Sequence, residues 1–184
     1  MSFNRKNRKK TEPLNEAGLY EYAVNALGRR MRTVAELQRL MRTRVEPDEN
    51  GKAKIEAVVA RLKEYGYLND ADYAANYARL RQENAKFGKR RVRQDLTVKG
   101  VHAEVIAATL DAAYEGVNEE ELARRHLERK GVKKPSSEKE SARVMRMLMR
   151  AGFSTGVIYG ILKKWDVPEE ELAGLEQVED GLAD

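Results

Sequence analysis

"VRQDLTVKGVHAEVIAATL", residues 92–110, and "VMRMLMRAGFSTGVIYGIL", residues 144–162, decide the fold. Laid over one another at an offset of 52, they pair Val92 with Val144, Leu96 with Leu148 and Gly100 with Gly152. Val101 then meets Phe153, Ile106 meets Ile158 and Leu110 meets Leu162. Each stretch is apolar at helical spacing, breaks at a glycine and resumes at the same spacing. Leu37, Met41, Val58 and Leu62 give a looser third copy once an acidic loop, "EPDENGK" at 46–52, is allowed to insert seven residues. A helix–helix–turn–helix unit of about 50 residues, repeated, is the mark of a tandem array.

Working outward completes each unit. "LNEAGLYEYAVNALGRRM" is a first helix with Leu19, Ala23 and Leu27 on one face and Asn15 as its cap. "TVAELQRLMRTRV" follows, with Thr33 as cap and Glu36 three residues later in capping-box order. "AKIEAVVARLKEYGYL" turns Ile55, Val58 and Leu62 inward and stops at Gly66. "NDADYAANYARLRQENAK" reads as one long helix capped by Asn69 or Asp70. "NEEELARRHLERKG" opens the last unit. The expectation is an all-α chain of three tandem three-helix, helix-turn-helix-like repeats in an elongated array that can curve. Its parts are a disordered basic arm (1–12), repeats at 13–67, 68–116 and 117–167, and an acidic tail (168–184).

Charge is unevenly spread over the 184 residues. Lysine and arginine number 35 and acids 30, for a net +5. The arm holds Arg5, Lys6, Arg8, Lys9 and Lys10, whereas residues 169–184 hold seven acids and no base. Setting aside those five bases and seven acids leaves a body of +7. A basic body suggests an anionic partner, and the tail reads as a solubilising end or as a mask for the basic face. There is no cysteine, which excludes disulfides and thiolate zinc sites and fits a reducing compartment. No apolar run approaches the roughly 20 residues of a membrane span, so a cytoplasmic protein is expected.

The densest charge lies in "KFGKRRVRQDLTVKGV", residues 86–101. In a helix-turn-helix the later helix reads bases. Here the later helix, "HAEVIAATLDAAY", has no Arg, Lys, Asn or Gln to reach a base edge. Lys86, Lys89, Arg90, Arg91, Arg93 and Lys99 instead suit phosphates without sequence preference, or an acidic protein surface. A merely solvated face is the plain alternative. Tyr73 and Tyr77 share a helix face, which reads as packing between helices; beside Arg79 and Arg81 it also reads as a protein-binding hot spot. Tyr73, Tyr77 and Arg81 are the protein-interface candidates.

No chemistry is encoded in a recognisable set. His102 and His126 are isolated, and no nucleophile triad, P-loop or glycine-rich fingerprint occurs. Neither an enzyme nor a metal site nor a cofactor is expected.

The motifs resemble the RecX regulatory family. Leu68-Asn69-Asp70 with Tyr73-Ala74 corresponds to its Leu-(Asp/Asn)-Asp-x-x-(Phe/Tyr)-Ala segment. Gly88 with Arg91-Val92, then Leu96 with Lys99-Gly100-Val101, follow in the family's order, and Ala151-Gly152-Phe153-Ser154 matches a later Arg-Gly-Phe-Ser. The resemblance spans roughly residues 18–165. It implies three tandem three-helix repeats and a monomeric regulator that binds the recombinase RecA on its single-stranded-DNA filament. It further implies inhibition of RecA's ATPase, strand exchange and co-protease activities, within DNA repair and the SOS response. The alternative is a non-specific binder of single- or double-stranded DNA acting without RecA. The arm, the tail and the acidic insertion depart from the family pattern.

Overall fold

The computed structural model describes residues 12–168, so the basic arm up to Thr11 and the acidic tail from Glu169 lie outside it. Nine α-helices and no strand occur among the described residues. The first repeat supplies α1 (Glu16–Arg29), α2 (Val34–Met41) and α3 (Glu49–Glu64). The second supplies α4 (Asp70–Leu80), α5 (Lys89–Val98) and α6 (Ala103–Ala113). The third supplies α7 (Glu119–Arg129), α8 (Glu138–Arg150) and α9 (Thr155–Lys164).

Helix starts follow side-chain chemistry. Asn15, Asp48 and Asn118 each accept an amide three residues on, from Gly18, Gly51 and Glu121. Asp48 explains why α3 begins at Glu49, inside the stretch read as polar loop. Gly51 is needed there, because a Cβ would overlap the Glu46 carbonyl. The long helix expected from Asn69 to Lys86 is divided: α4 ends at Leu80 and a π-helical turn, Arg81–Ala85, follows. Lys86 then takes a left-handed conformation (φ 54°) that stops it.

The described chain forms two compact units. One runs to Tyr73 and takes in Lys99–Val101; the other comprises Ala74–Val98 and the chain from His102 onward. In the first, α1 packs on α2 and α3 around Leu19, Ala23, Leu37, Met41, Val58 and Leu62. On α1, Leu19, Ala23 and the adjoining Ala26 are buried, and Leu27 is half-buried. In the second, α5 packs on α6, and α9 packs on α7 and α8. All of the 92–110 and 144–162 apolar pairs named above are buried. Each fully buried leucine or isoleucine contributes about 1.5–3 kcal/mol.

Two equivalent junctions join consecutive repeats. Inside the first unit the Thr33 hydroxyl, at the start of α2, donates to the Lys99 carbonyl at 2.7 Å. Gly100 follows at φ 79°, and a Cβ on it would stand 2.5 Å from that of Ala35. Inside the second unit the Gly88 amide, at the start of α5, donates to the Ala151 carbonyl at 2.8 Å. Gly152 follows at φ 89°, and a Cβ on it would overlap the Arg91 backbone. Both glycines are therefore required twice over, for positive φ and for close approach.

Candidate functional site

The six basic residues of 86–101 separate into those used inside the fold and those left to solvent. Lys99 belongs to the first unit and is structural. Its ammonium reaches Glu36 at 3.2 Å and lies 5.7 Å from the Tyr73 ring centre. Burial alone would depress its pKa, but hydrogen bonds to Tyr73 and Glu36 outweigh that and hold it above its ordinary value. Tyr73 is only 8% exposed, so of its two readings the structure realises helix packing. The local cause is a pair of caps. Asn69 accepts the Ala71 and Asp72 amides and so opens α4. Asp70 then turns away, and its Oδ1 accepts the Val34 amide of α2 at 2.8 Å. That places the first turn of α4, and Tyr73 with it, beside the Lys99–Val101 turn.

The second unit holds the remaining candidates. Arg91 lies against Gly152, and its guanidinium pairs with Asp95 at 3.1 Å and lies 5.8 Å from the Phe87 ring centre. Asp95 also accepts the Tyr77 hydroxyl at 3.0 Å, which ties α4 to α5. Burial raises the Tyr77 phenol's pKa; Asp95 adds to the rise and Arg81, whose guanidinium lies 4.8 Å from the ring centre, opposes it. Lys89 pairs with Asp111 on α6 at 2.6 Å, and its hydrogen bond holds the Asp111 carboxyl below the usual range. Tyr114 fixes the approach to α5: its buried hydroxyl donates to the Phe87 carbonyl at 2.8 Å. Burial pushes that phenol's pKa strongly upward.

What remains is compact. Arg90 and Arg93 are exposed and make no ion pair among the described residues. Arg90 and Arg93 lie three positions apart on α5 and so share a face, whereas half-buried Lys86 precedes α5 and lines a groove with Gln82, Asn118 and Arg125. Exposed Leu80 and Val98 lie in the same repeat, Val98 at 74% exposure. The helix after the glycine turn, α6, presents Glu104 and Asp111 to solvent and carries no Arg, Lys, Asn or Gln for the common bidentate contacts to guanine or adenine. The arrangement suits contact with a polyanion or an acidic protein surface without readout of base sequence.

His126 is not a ligand. It is 2% exposed, contacts Phe87 and Phe153, and places Nδ1 2.9 Å from the Ala85 carbonyl at the end of the π-helical turn. A carbonyl only accepts, so Nδ1 carries the proton. Burial lowers the imidazole's pKa. Among the described residues no cluster of His, Cys, Asp or Glu is arranged to hold a metal. No helix among them is long and apolar enough to cross a membrane.

A second basic feature escaped the sequence reading. Lys130, Lys133, Lys134 and Arg143 line a groove of about 330 Å³ in the third repeat. The signal available was the cluster "RKGVKK", residues 129–134.

Comparison with known proteins agrees with this architecture. Residues 69–110 match the second three-helix domain of RecX, and residues 118–162 match the third. The regulatory protein RecX of Leptothrix cholodnii is 35% identical over 144 residues, 78% of this chain and 87% of that one. RecX of Mycolicibacterium smegmatis is 36% identical over 138 residues, 72% of this chain and 71% of that one. The crystal structure of RecX from Lactobacillus salivarius superposes with a TM-score of 0.64 over 82% of this chain and 96% of that one, at 20% identity.

Proposed function

The chain belongs to the RecX family of regulatory proteins, and from that premise we propose that it binds RecA on single-stranded DNA and inhibits it. The reading carries with it lower ATPase, strand exchange and co-protease activity of the RecA filament, and so a brake on recombinational repair and the SOS response. The observation that supports it most is the exposed face of α5 that carries Arg90 and Arg93. Neither arginine forms a salt bridge among the described residues, and α6 carries no Arg, Lys, Asn or Gln. Such a face meets a nucleoprotein surface through charge. It speeds encounter and makes binding salt-sensitive. Tyr77 and Arg81 lie in the same unit and are proposed as its neighbouring protein contacts.

The test is RecA's single-stranded-DNA-dependent ATPase with this protein titrated from far below to equal amounts. Inhibition below stoichiometry is expected. No inhibition up to equal amounts, together with salt-dependent DNA binding by the protein alone, would instead assign a non-specific DNA clamp acting without RecA.

A further inference from the structure

α8 divides lengthwise into two chemistries. Ser141, Val144, Met145 and Leu148 are buried. Lys139, Arg143, Arg146 and Arg150, at i, i+4, i+7 and i+11, fall on the opposite face and are exposed. None of the four forms a salt bridge among the described residues. At the rise of an α-helix this cationic line is about 16 Å long. It is particular to the third repeat. At the offset of 52 the same places hold Phe87, Arg91, Gln94 and Val98, and Arg91 is bound to Asp95.

Arg143 also lines the groove of about 330 Å³, on its α8 side; Lys130 and Lys133 line it from the loop that joins α7 to α8. Neither lysine forms a salt bridge among the described residues, whereas Lys134 pairs with Asp166 at 2.7 Å. Val132, Pro135 and Met147 are half-buried and, with buried Val144, give the same groove an apolar lining. We propose that the groove docks an acidic segment of a partner protein that carries an apolar anchor. Carboxylates meet Lys130, Lys133 and the cationic line of α8, and a leucine-sized side chain lies on Val132, Val144 and Met147. The site shares no residue with the α5 face, so it stands whether or not the partner is RecA.

Charge alone would suit any polyanion. The lining decides in favour of protein. Single-stranded nucleic acid is held where its bases stack on aromatic faces, and none of the lining side chains is aromatic among the described residues. Aliphatic side chains and a methionine thioether accept an apolar anchor instead, and methionine adapts to its shape. Glu140 argues the same way. Hydrogen bonds from the Ser136 amide and hydroxyl hold its carboxyl below the usual range, so it remains a fixed negative charge in the lining. A phosphodiester backbone carries charge at every step and must pass it. A peptide can set an uncharged or basic residue there.

The test is fluorescence anisotropy with the full chain. The labelled probes are a short glutamate-rich peptide with leucine at every third position, its serine-for-leucine analogue, and an oligothymidylate of equal charge. Expected is binding of the leucine peptide that weakens as salt rises. K133E/R143E should weaken it about tenfold, as two reversed surface contacts would. K133Q/R143Q, which adds no acid beside Glu140, should act in the same direction should the reversal unfold the chain. Met147→Gln should weaken the leucine peptide about threefold through lost apolar contact and leave the serine peptide unchanged. Equal affinity for the two peptides would reduce the groove to unspecific charge and overturn the proposal. So would no binding of the leucine peptide. Tighter binding of oligothymidylate, lost in K133Q/R143Q, would assign the face to nucleic acid and overturn it as well. A gain of about tenfold in peptide affinity in E169Q/E170Q/E171Q would assign the groove to this chain's own acids, with the same result.

Discussion

Asp70 opens one helix and caps another: its Oδ1 accepts the Val34 amide at 2.8 Å, thirty-six positions away in the chain. Asn69, next to it, caps α4 itself. The Asn-Asp pair is thus two devices with separate duties. Asp70→Ala leaves a part-buried amide at the start of α2 without its acceptor and should cost about 1–2 kcal/mol in urea unfolding. Asn69→Gly, which keeps a tolerated cap residue, should cost only a few tenths of a kcal/mol. Equal losses would mean that Asp70 has no role outside α4.

The junction glycines differ from the one that merely ends a helix. Gly66 sits at φ 71° with open space where a Cβ would go, so Gly66→Ala should cost about 1 kcal/mol. Gly100→Ala and Gly152→Ala add a steric overlap to the same backbone strain and should each cost about 3 kcal/mol or more. Denaturant midpoints of the three variants check the order.

His126 should make the protein acid-sensitive. Burial favours the neutral ring, so the folded state holds its imidazole pKa below the unfolded value. The stability this contributes is complete above about pH 6.5 and is lost as pH falls through the folded pKa. Between about pH 7.5 and about pH 5 the native chain should lose more stability than His126→Gln does. Thermal melts of both proteins across that range would show the difference.

The basic stretch should not respond uniformly to charge changes. R90E/R93E should leave the melting temperature within about 2 °C and weaken inhibition of RecA roughly tenfold, with a shallower salt dependence. Arg91→Glu and Lys99→Glu should lower stability first, because Arg91 is bound to Asp95 and Lys99 to Glu36. Full inhibition by a folded R90E/R93E protein would remove this face from the proposed function.

Much of this was legible in the sequence, for a physical reason. A repeat must bury the same positions each time, so Val92, Leu96, Ile106 and Leu110 recur at a fixed offset, and all four are buried. Capping is local, so Asn15 and Thr33 were readable from their neighbours. What was not legible depends on partners distant in sequence. Nothing in "KFGKRRVRQDLTVKGV" tells that Lys99 serves Glu36, or that Lys89 serves Asp111, since those acids lie on other helices. Asp70 read as a local cap because its real acceptor duty lies thirty-six residues upstream. The π-helical turn escaped for the same reason: the Ala85 carbonyl at its end faces His126, on a helix of the next repeat.

The junctions also have a direction. Each takes a helix start from the earlier segment and a glycine turn from the later one, and the two halves are chemically unlike. Neither half can pair with a copy of itself. A duplicated gene segment of this length would therefore find its own joining chemistry already in place at both borders, in a single polarity. Lengthening such a protein needs only correct phasing of the duplication, not the invention of a new contact.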